Sequence, residues 1–251
     1  MKIQLFSDVH LETKTDTSFT KNDVSKEADL IIVPGDFHHI NKAIPVLQSI
    51  IYDHQQVIYV PGNHEYYFST MSKVKVKSEG PVHLLNNSSI TIDNINFIGS
   101  TLWTDFLLFG IGSKIQSIFE SKKFLNDYNY INVTKDIKWN PYLAEDEFYR
   151  CIKFIEKELS KKTKNKRIVV THHSPSLKSS SDIYKSELLT SSFASDLEEF
   201  IFKYKPDYWF HGHVHNSMTY NIGDTVIAVN SFGYQNENVD YKSHYIFDLD
   251  K

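Results

Sequence analysis

The strongest constraint on how this chain folds is a recurring pairing: a short apolar run rich in Ile and Val, followed at once by a polar cluster. The runs at 2–6, 30–33, 57–60, 95–98, 168–170 and 208–210 read as buried strands. Helical spacing fills several of the gaps, at 42–52, 145–159 and 192–204. Later runs at 218–220, 225–229 and 245–249 have no helix between them and predict an antiparallel meander. Helices separating the early strands and hairpins late in the chain predict a mixed α/β fold. Residues 104–140, with Phe106, Phe109, Phe119, Phe124, Tyr128, Tyr130 and Trp139 following Trp103, predict a helical, aromatic-rich insertion beside the sheet. Residues 174–190 are rich in Ser and read as a loop. No stretch resembles a domain linker, so one domain over 1–251 is expected.

The polar clusters share one position, the carboxyl end of a strand. Asp8-Val9-His10 follows the first run, Gly35-Asp36 the second and Gly62-Asn63-His64-Glu65 the third. Thr171-His172-His173 and Gly212-His213-Val214-His215 follow two later runs. In a largely parallel sheet the carboxyl ends converge on one edge, so these residues are expected to meet. Extended backbone turns residues i and i+2 the same way, which would bring Asp8 with His10, and His213 with His215, onto one ion. The glycines before Asp36, Asn63 and His213 predict tight turns.

Composition narrows the chemistry. Twelve His stand against one Cys, Cys151, which excludes an internal disulfide and a thiolate-rich zinc site. Nitrogen and oxygen donors without sulfur suit zinc, manganese, iron or nickel. A net charge of −4 provides no basic surplus for tracking a nucleic-acid backbone. Neither a signal-peptide apolar region nor a run of about 18 apolar residues is present, so a cytoplasmic protein without a membrane partner is expected.

The five clusters, in this order, resemble the calcineurin-like metallophosphoesterase family, whose pattern is Asp-x-His, Gly-Asp, Gly-Asn-His-(Asp/Glu), a lone His and Gly-His-x-His; here it spans Asp8 to His215. The resemblance implies a four-layer α-β-β-α sandwich of two mixed sheets with a dimetal site at the strand carboxyl ends. It also implies two divalent metal ions. Asp8, His10 and His215 would hold one, Asn63, His172 and His213 the other, and Asp36 would bridge both. His64 would be the general acid, aided by bound phosphate and by Glu65. In this picture two ions about 3.5–4 Å apart acidify a bridging water that attacks phosphorus in line. The chain departs from the family where Gly-Asp-x-x-Asp is common: here the run is Gly35-Asp36-Phe37-His38-His39.

Arg150 and Arg167 are the only arginines, and neither is placed by the motif beside the metals. A dianionic monoester is usually gripped by arginine, so the expected substrate is a small or nucleotide-like phosphodiester. A protein or small-molecule phosphomonoesterase and a DNA nuclease are the alternatives, with nucleic acid expected only as a substrate. Asn63, His64, His39 and His173 are candidate substrate contacts, His38 and His211 candidate supporting residues, and Trp103, Asn126 and Tyr128 candidates for facing the leaving group. Oligomeric state is left open by these features.

Overall fold

The computed structural model describes residues 1–13, 19–74 and 77–250. Two sheets pack face to face, and helices cover their outer faces. The first sheet has the order β11-β1-β2-β3-β4, built from β1 (Lys2–Leu5), β2 (Leu30–Val33), β3 (Gln56–Tyr59), β4 (Val82–Leu84) and β11 (Ile246–Asp248). The second has the order β5-β6-β7-β8-β10-β9, from β5 (Ser88–Ile92), β6 (Ile95–Ser100), β7 (Lys166–Thr171), β8 (Tyr208–His211), β9 (Ser217–Ile222) and β10 (Thr225–Asn230).

Strand periodicity explains the layering. Leu30 and Ile32 of β2 join Ile3, Leu5, Phe97, Ile168, Val170 and Phe210 in the core between the sheets. The alternate residues Ile31 and Val33 pack with Ala43, Ile44 and Leu47 of α1 (Ile40–Ile50). Val169 and Trp209 face the other way, onto Phe148, Cys151 and Ile155 of α4 (Pro141–Leu159) and Ile201 of α5 (Glu198–Tyr204). Both faces of the central strands are thus buried, which is why they read as unbroken apolar runs rather than as alternating ones.

The direction of the strands positions the site. β1 through β4 run parallel, as do β6, β7, β8 and β10. The two sheets are stitched together where β1 and β10 end. The Ser7 amide donates to the Asn230 carbonyl (3.1 Å), the Phe232 amide to the Ser7 carbonyl (2.8 Å), and the Asn230 side chain to the Leu5 carbonyl (2.8 Å). Carboxyl ends from both sheets therefore share one edge of the sandwich.

Three local expectations change. β9 and β10 form the expected hairpin, but the last strand crosses to the first sheet and pairs antiparallel with β1, whose outer edge would otherwise lie open. The helix expected at 192–204 begins only at Glu198: Ser192 closes a 3₁₀ turn over Leu188–Ser192, and the Ser174 amide donates to the Phe193 carbonyl and the Ser195 amide to the Ser174 carbonyl, which bridges Ala194 to Ser174. β4 and β5 were not anticipated. One is three residues long, and the other, Ser-Ser-Ile-Thr-Ile, is a half-exposed edge strand with few apolar residues. In the aromatic-rich segment, α2 (Lys114–Phe124) and α3 (Asp127–Tyr130) are helical.

Phe97 is fully buried between the sheets. Phe97→Ala is expected to lower the unfolding free energy by about 3–5 kcal/mol, read from a urea titration followed by circular dichroism.

Candidate metal centre

Five residues of the clusters hold unusual backbone conformations. Asp8, His10, Asp36, His213 and His215 all have positive φ, between 41° and 70°. Non-glycine residues seldom adopt this region, and they do so where surrounding structure imposes it. The i, i+2 pairs therefore converge through left-handed turns and not through extended strand geometry. The glycines serve close approach as much as turning. A Cβ on Gly62 would lie 2.2 Å from Asp36 Oδ1, and one on Gly35, at φ +88°, would lie 2.6 Å from His172 Nδ1.

These backbones bring the side chains into two adjoining groups, Asp8 with His10 and His215, and Asp36 with His172 and His213. His10 Nε2 lies 3.0 Å from His215 Nε2 and 3.9 Å from Asp36 Oδ2. His172 Nε2 lies 3.0 Å from both Asn63 Oδ1 and His213 Nδ1, and 3.4 Å from Asp36 Oδ2. Asp36 thus reaches both groups. A third grouping joins His10, Asp36 and His64.

For three of the histidines and for Asn63, the partner on the far side shows which way the lone pair points. His10 Nδ1 is 3.1 Å from Glu12, His215 Nδ1 is 2.6 Å from Glu237, and His172 Nδ1 is 2.7 Å from the Pro34 carbonyl. Each partner is an acceptor, so each Nδ1 carries its proton and donates it, leaving Nε2 with a lone pair toward the centre. Asn63 Nδ2 donates to Asp127 Oδ1 (2.8 Å), which turns its carbonyl oxygen inward. Lone pairs 3.0 Å apart repel unless a cation or a proton sits between them. This donor set, oriented from behind by carboxylates and a carbonyl, fits divalent metal ions.

The electrostatics agree. Burial opposes charge on His172, but Asp36 outweighs it and holds the imidazolium up to about 9. Burial and the neighbouring His173 and His172 push His213 far down, so it is a neutral donor. Burial likewise opposes a charged His64, yet Asp36 and Glu12 raise it to about 9. Burial raises Glu12, and its bonds to His10 and His64 more than reverse this, bringing it to about 2. His64 Nδ1 lies 2.9 Å from Glu12, so its Nε2 faces the centre, 4.0 Å from Asp36 Oδ2.

All seven expected ligands and His64 gather at this edge. Glu65 takes a different part from the expected one. It is wholly buried and accepts the amides of Asp36 (2.9 Å), Phe37 (2.8 Å) and Gly62 (2.6 Å) and the Tyr59 hydroxyl (2.8 Å). Glu12 is the carboxylate on His64. His173 is buried, packed between Trp103 (5.3 Å) and His213 (4.2 Å). His211 is buried, with Nε2 2.8 Å from the Ser179 hydroxyl. His38 and His39 stack at the start of α1, 5.7 Å apart. Trp103 and Tyr128 are core residues, against Trp139 and the Ser121 hydroxyl respectively, and Asn126 is exposed. The residue between Asn126 and Tyr128 is the one that reaches the site: Asp127, bonded to Asn63 and to the Tyr67 hydroxyl (2.7 Å).

Glu12, Asp127, Tyr234 and Glu237 are absent from the sequence reading. Tyr234 stacks on His10 at 4.5 Å and its hydroxyl lies 3.4 Å from His64 Nε2. Only Glu12 carried a local hint, two residues after His10.

Comparison with known proteins bears on this geometry. The family model described as calcineurin-like phosphoesterase matches residues 1–217. An uncharacterized protein, L509, of Acanthamoeba polyphaga mimivirus is 29% identical over 224 residues, covering 81% of this chain and 76% of its own. The phosphopantetheinyl hydrolase of Mycobacterium tuberculosis superposes with a TM-score of 0.68 at 15% identity, over 93% of this chain and 89% of that one. A dimetal phosphatase of Danio rerio gives 0.53 at 10% identity, over 92% and 87%. At these identities the likeness to the two structures is one of fold.

Because His172 holds a proton up to about 9, a divalent ion at that position must displace it. Affinity there is expected to fall about tenfold for each pH unit below that value, with protons released on binding at pH 7. Calorimetric titration of Mn²⁺ into metal-free protein, in buffers of different ionisation enthalpy, measures both.

Proposed function

This chain belongs to the calcineurin-like phosphoesterase family, and we propose that within it the protein hydrolyses a small or nucleotide-like phosphodiester. The family uses two divalent metals, and the residue groups of this chain can hold them. When bound, the ions supply polarisation of the phosphoryl oxygens and a water acidified toward neutrality.

The protein's own residues do the rest. Asp8, His10 and His215 would hold one ion, and Asn63, His172 and His213 the other, with Asp36 shared. His64 keeps its proton through Glu12 and Asp36 and presents Nε2 to the centre, so it delivers that proton to the departing oxygen. Asn63, fixed by Asp127, also faces the substrate oxygens. His39 and His173 stand less directly on the reaction, one at the start of α1 and the other beneath His213.

The observation that carries the diester reading is where the arginines lie. Arg167 starts β7 and donates to the carbonyls of Leu159 (3.0 Å) and Lys205 (2.7 Å). His172 follows at the other end of that strand, five residues on, or roughly 16 Å away. Arg150 is exposed on α4 beside Glu147. A monoester dianion would therefore meet no guanidinium clamp, whereas the single charge of a diester needs none. A cytoplasmic setting and manganese as one of the usable metals belong to this proposal as well. No helix among the described residues is long and apolar enough to cross a membrane.

Bis(p-nitrophenyl) phosphate is expected to be hydrolysed faster than p-nitrophenyl phosphate across Mn²⁺, Ni²⁺, Zn²⁺ and Mg²⁺; a diester-to-monoester ratio well below one overturns the preference. His64→Ala should slow diesters with alkyl leaving groups by about 10²–10⁴-fold and p-nitrophenyl esters far less. Equal losses on both would remove His64 from the acid role.

A further inference from the structure

Phe68 combines two costly features. Its φ is 56°, a left-handed conformation that bulky side chains rarely adopt. Phe68 is also 72% exposed, so the strain is not offset by burial. The conformation is imposed by the insertion, because the Phe68 amide donates to the Tyr130 carbonyl at 2.9 Å. Exposed hydrophobic surface held in a strained geometry at the rim of a site points to a ligand.

The surroundings indicate which ligand. The Phe68 ring lies 4.6 Å from Tyr130 and 6.3 Å from Tyr67, with His39 edge-on at 6.4 Å. Tyr67 stacks on His64 at 4.1 Å and 26°. An aromatic row therefore begins at the residue that protonates the leaving oxygen and runs outward to solvent. Whatever leaves with that oxygen departs beside this row. Aromatic faces accept any nucleobase without reading its hydrogen-bonding edge.

We infer that Phe68, with Tyr130 and His39 beside it, is a stacking ledge for a planar ring on the leaving-group side, and that the substrate class is phosphate esters of nucleosides. This rests on the phosphoesterase reading above and names its substrate. Phe68 is the specificity-determining residue. His39 contributes as the edge of the ledge and not as a phosphate ligand.

The test uses the Mn²⁺-loaded protein and two ligands that share a phosphate, adenosine 5′-monophosphate and ribose 5-phosphate, titrated calorimetrically. Wild type is expected to bind the nucleotide between about fivefold and a hundredfold more tightly than the bare sugar phosphate. Phe68→Ala should erase most of that ratio, and Phe68→Trp should keep it. Equal affinities in wild type, or a ratio that survives Phe68→Ala, overturns the ledge. Should the loaded wild type turn over no phosphate ester, the phosphoesterase reading falls, while the ligand ratio still decides the ledge.

Discussion

One buried carboxylate, Glu65, holds the site loops in place. Its two oxygens take amide donors from the loop after β2 and the loop after β3, together with the Tyr59 hydroxyl. Buried amides without partners are expensive, and the tight turns at Gly35 and Gly62 leave these amides with no ladder to join. Glu65 satisfies them and in doing so sets the spacing between Asp36 and Asn63. The Asp36 side chain completes the link by accepting the His64 amide at 2.9 Å. Left-handed backbone at Asp36 persists because this network over-determines it.

Asp8 has the corresponding role between the sheets. It accepts the hydroxyls of Ser7 and Ser231 (2.6 Å for the latter) and the His213 amide at 3.0 Å. A residue of one group is thereby tied to the loop that supplies His213 to the other. The glycine before His213 is needed for the same contact, since a Cβ there would lie 2.8 Å from Asp8 Oδ2. The motif glycines look like turn residues in sequence. In space, Gly62 and Gly212 are places where carboxylate and backbone come too close for a side chain.

Much of this was legible because the constraint is local. A ligand must sit at the carboxyl end of a strand, and strands buried on both faces announce themselves as Ile- and Val-rich runs, so Asp8, Asp36, Asn63, His172 and His213 could be found from their position after such runs. What escaped depends on tertiary approach. Asp127 lies 64 residues from Asn63 and Glu237 lies 22 from His215, and no periodicity connects them. Within the 104–140 segment the sequence points to Asn126 and Tyr128, but Asp127 between them reaches Asn63, because a short helix sends adjacent side chains in different directions. The final strand pairs with β1 and not with the hairpin before it for a related reason: alternation shows that a segment pairs but not with which edge.

The orienting residues also make the two cation positions unequal. At the Asp8 position, His10 and His215 donate to carboxylates, Glu12 and Glu237, which fixes the ring orientations and adds negative charge just outside the group. At the Asn63 position, His172 donates to a neutral carbonyl, and Asn63, itself uncharged, donates to the buried carboxyl group of Asp127. His172 and His213 also pack against His173 and Phe193. The Asp8 position is therefore backed by two carboxylates, and the Asn63 position by one carboxyl group and one carbonyl. The two positions thus differ in what stands behind each side chain, and the 104–140 segment serves both site and core: Asp127 orients Asn63, while Tyr128, Ile131 and Trp139 pack into the core behind it.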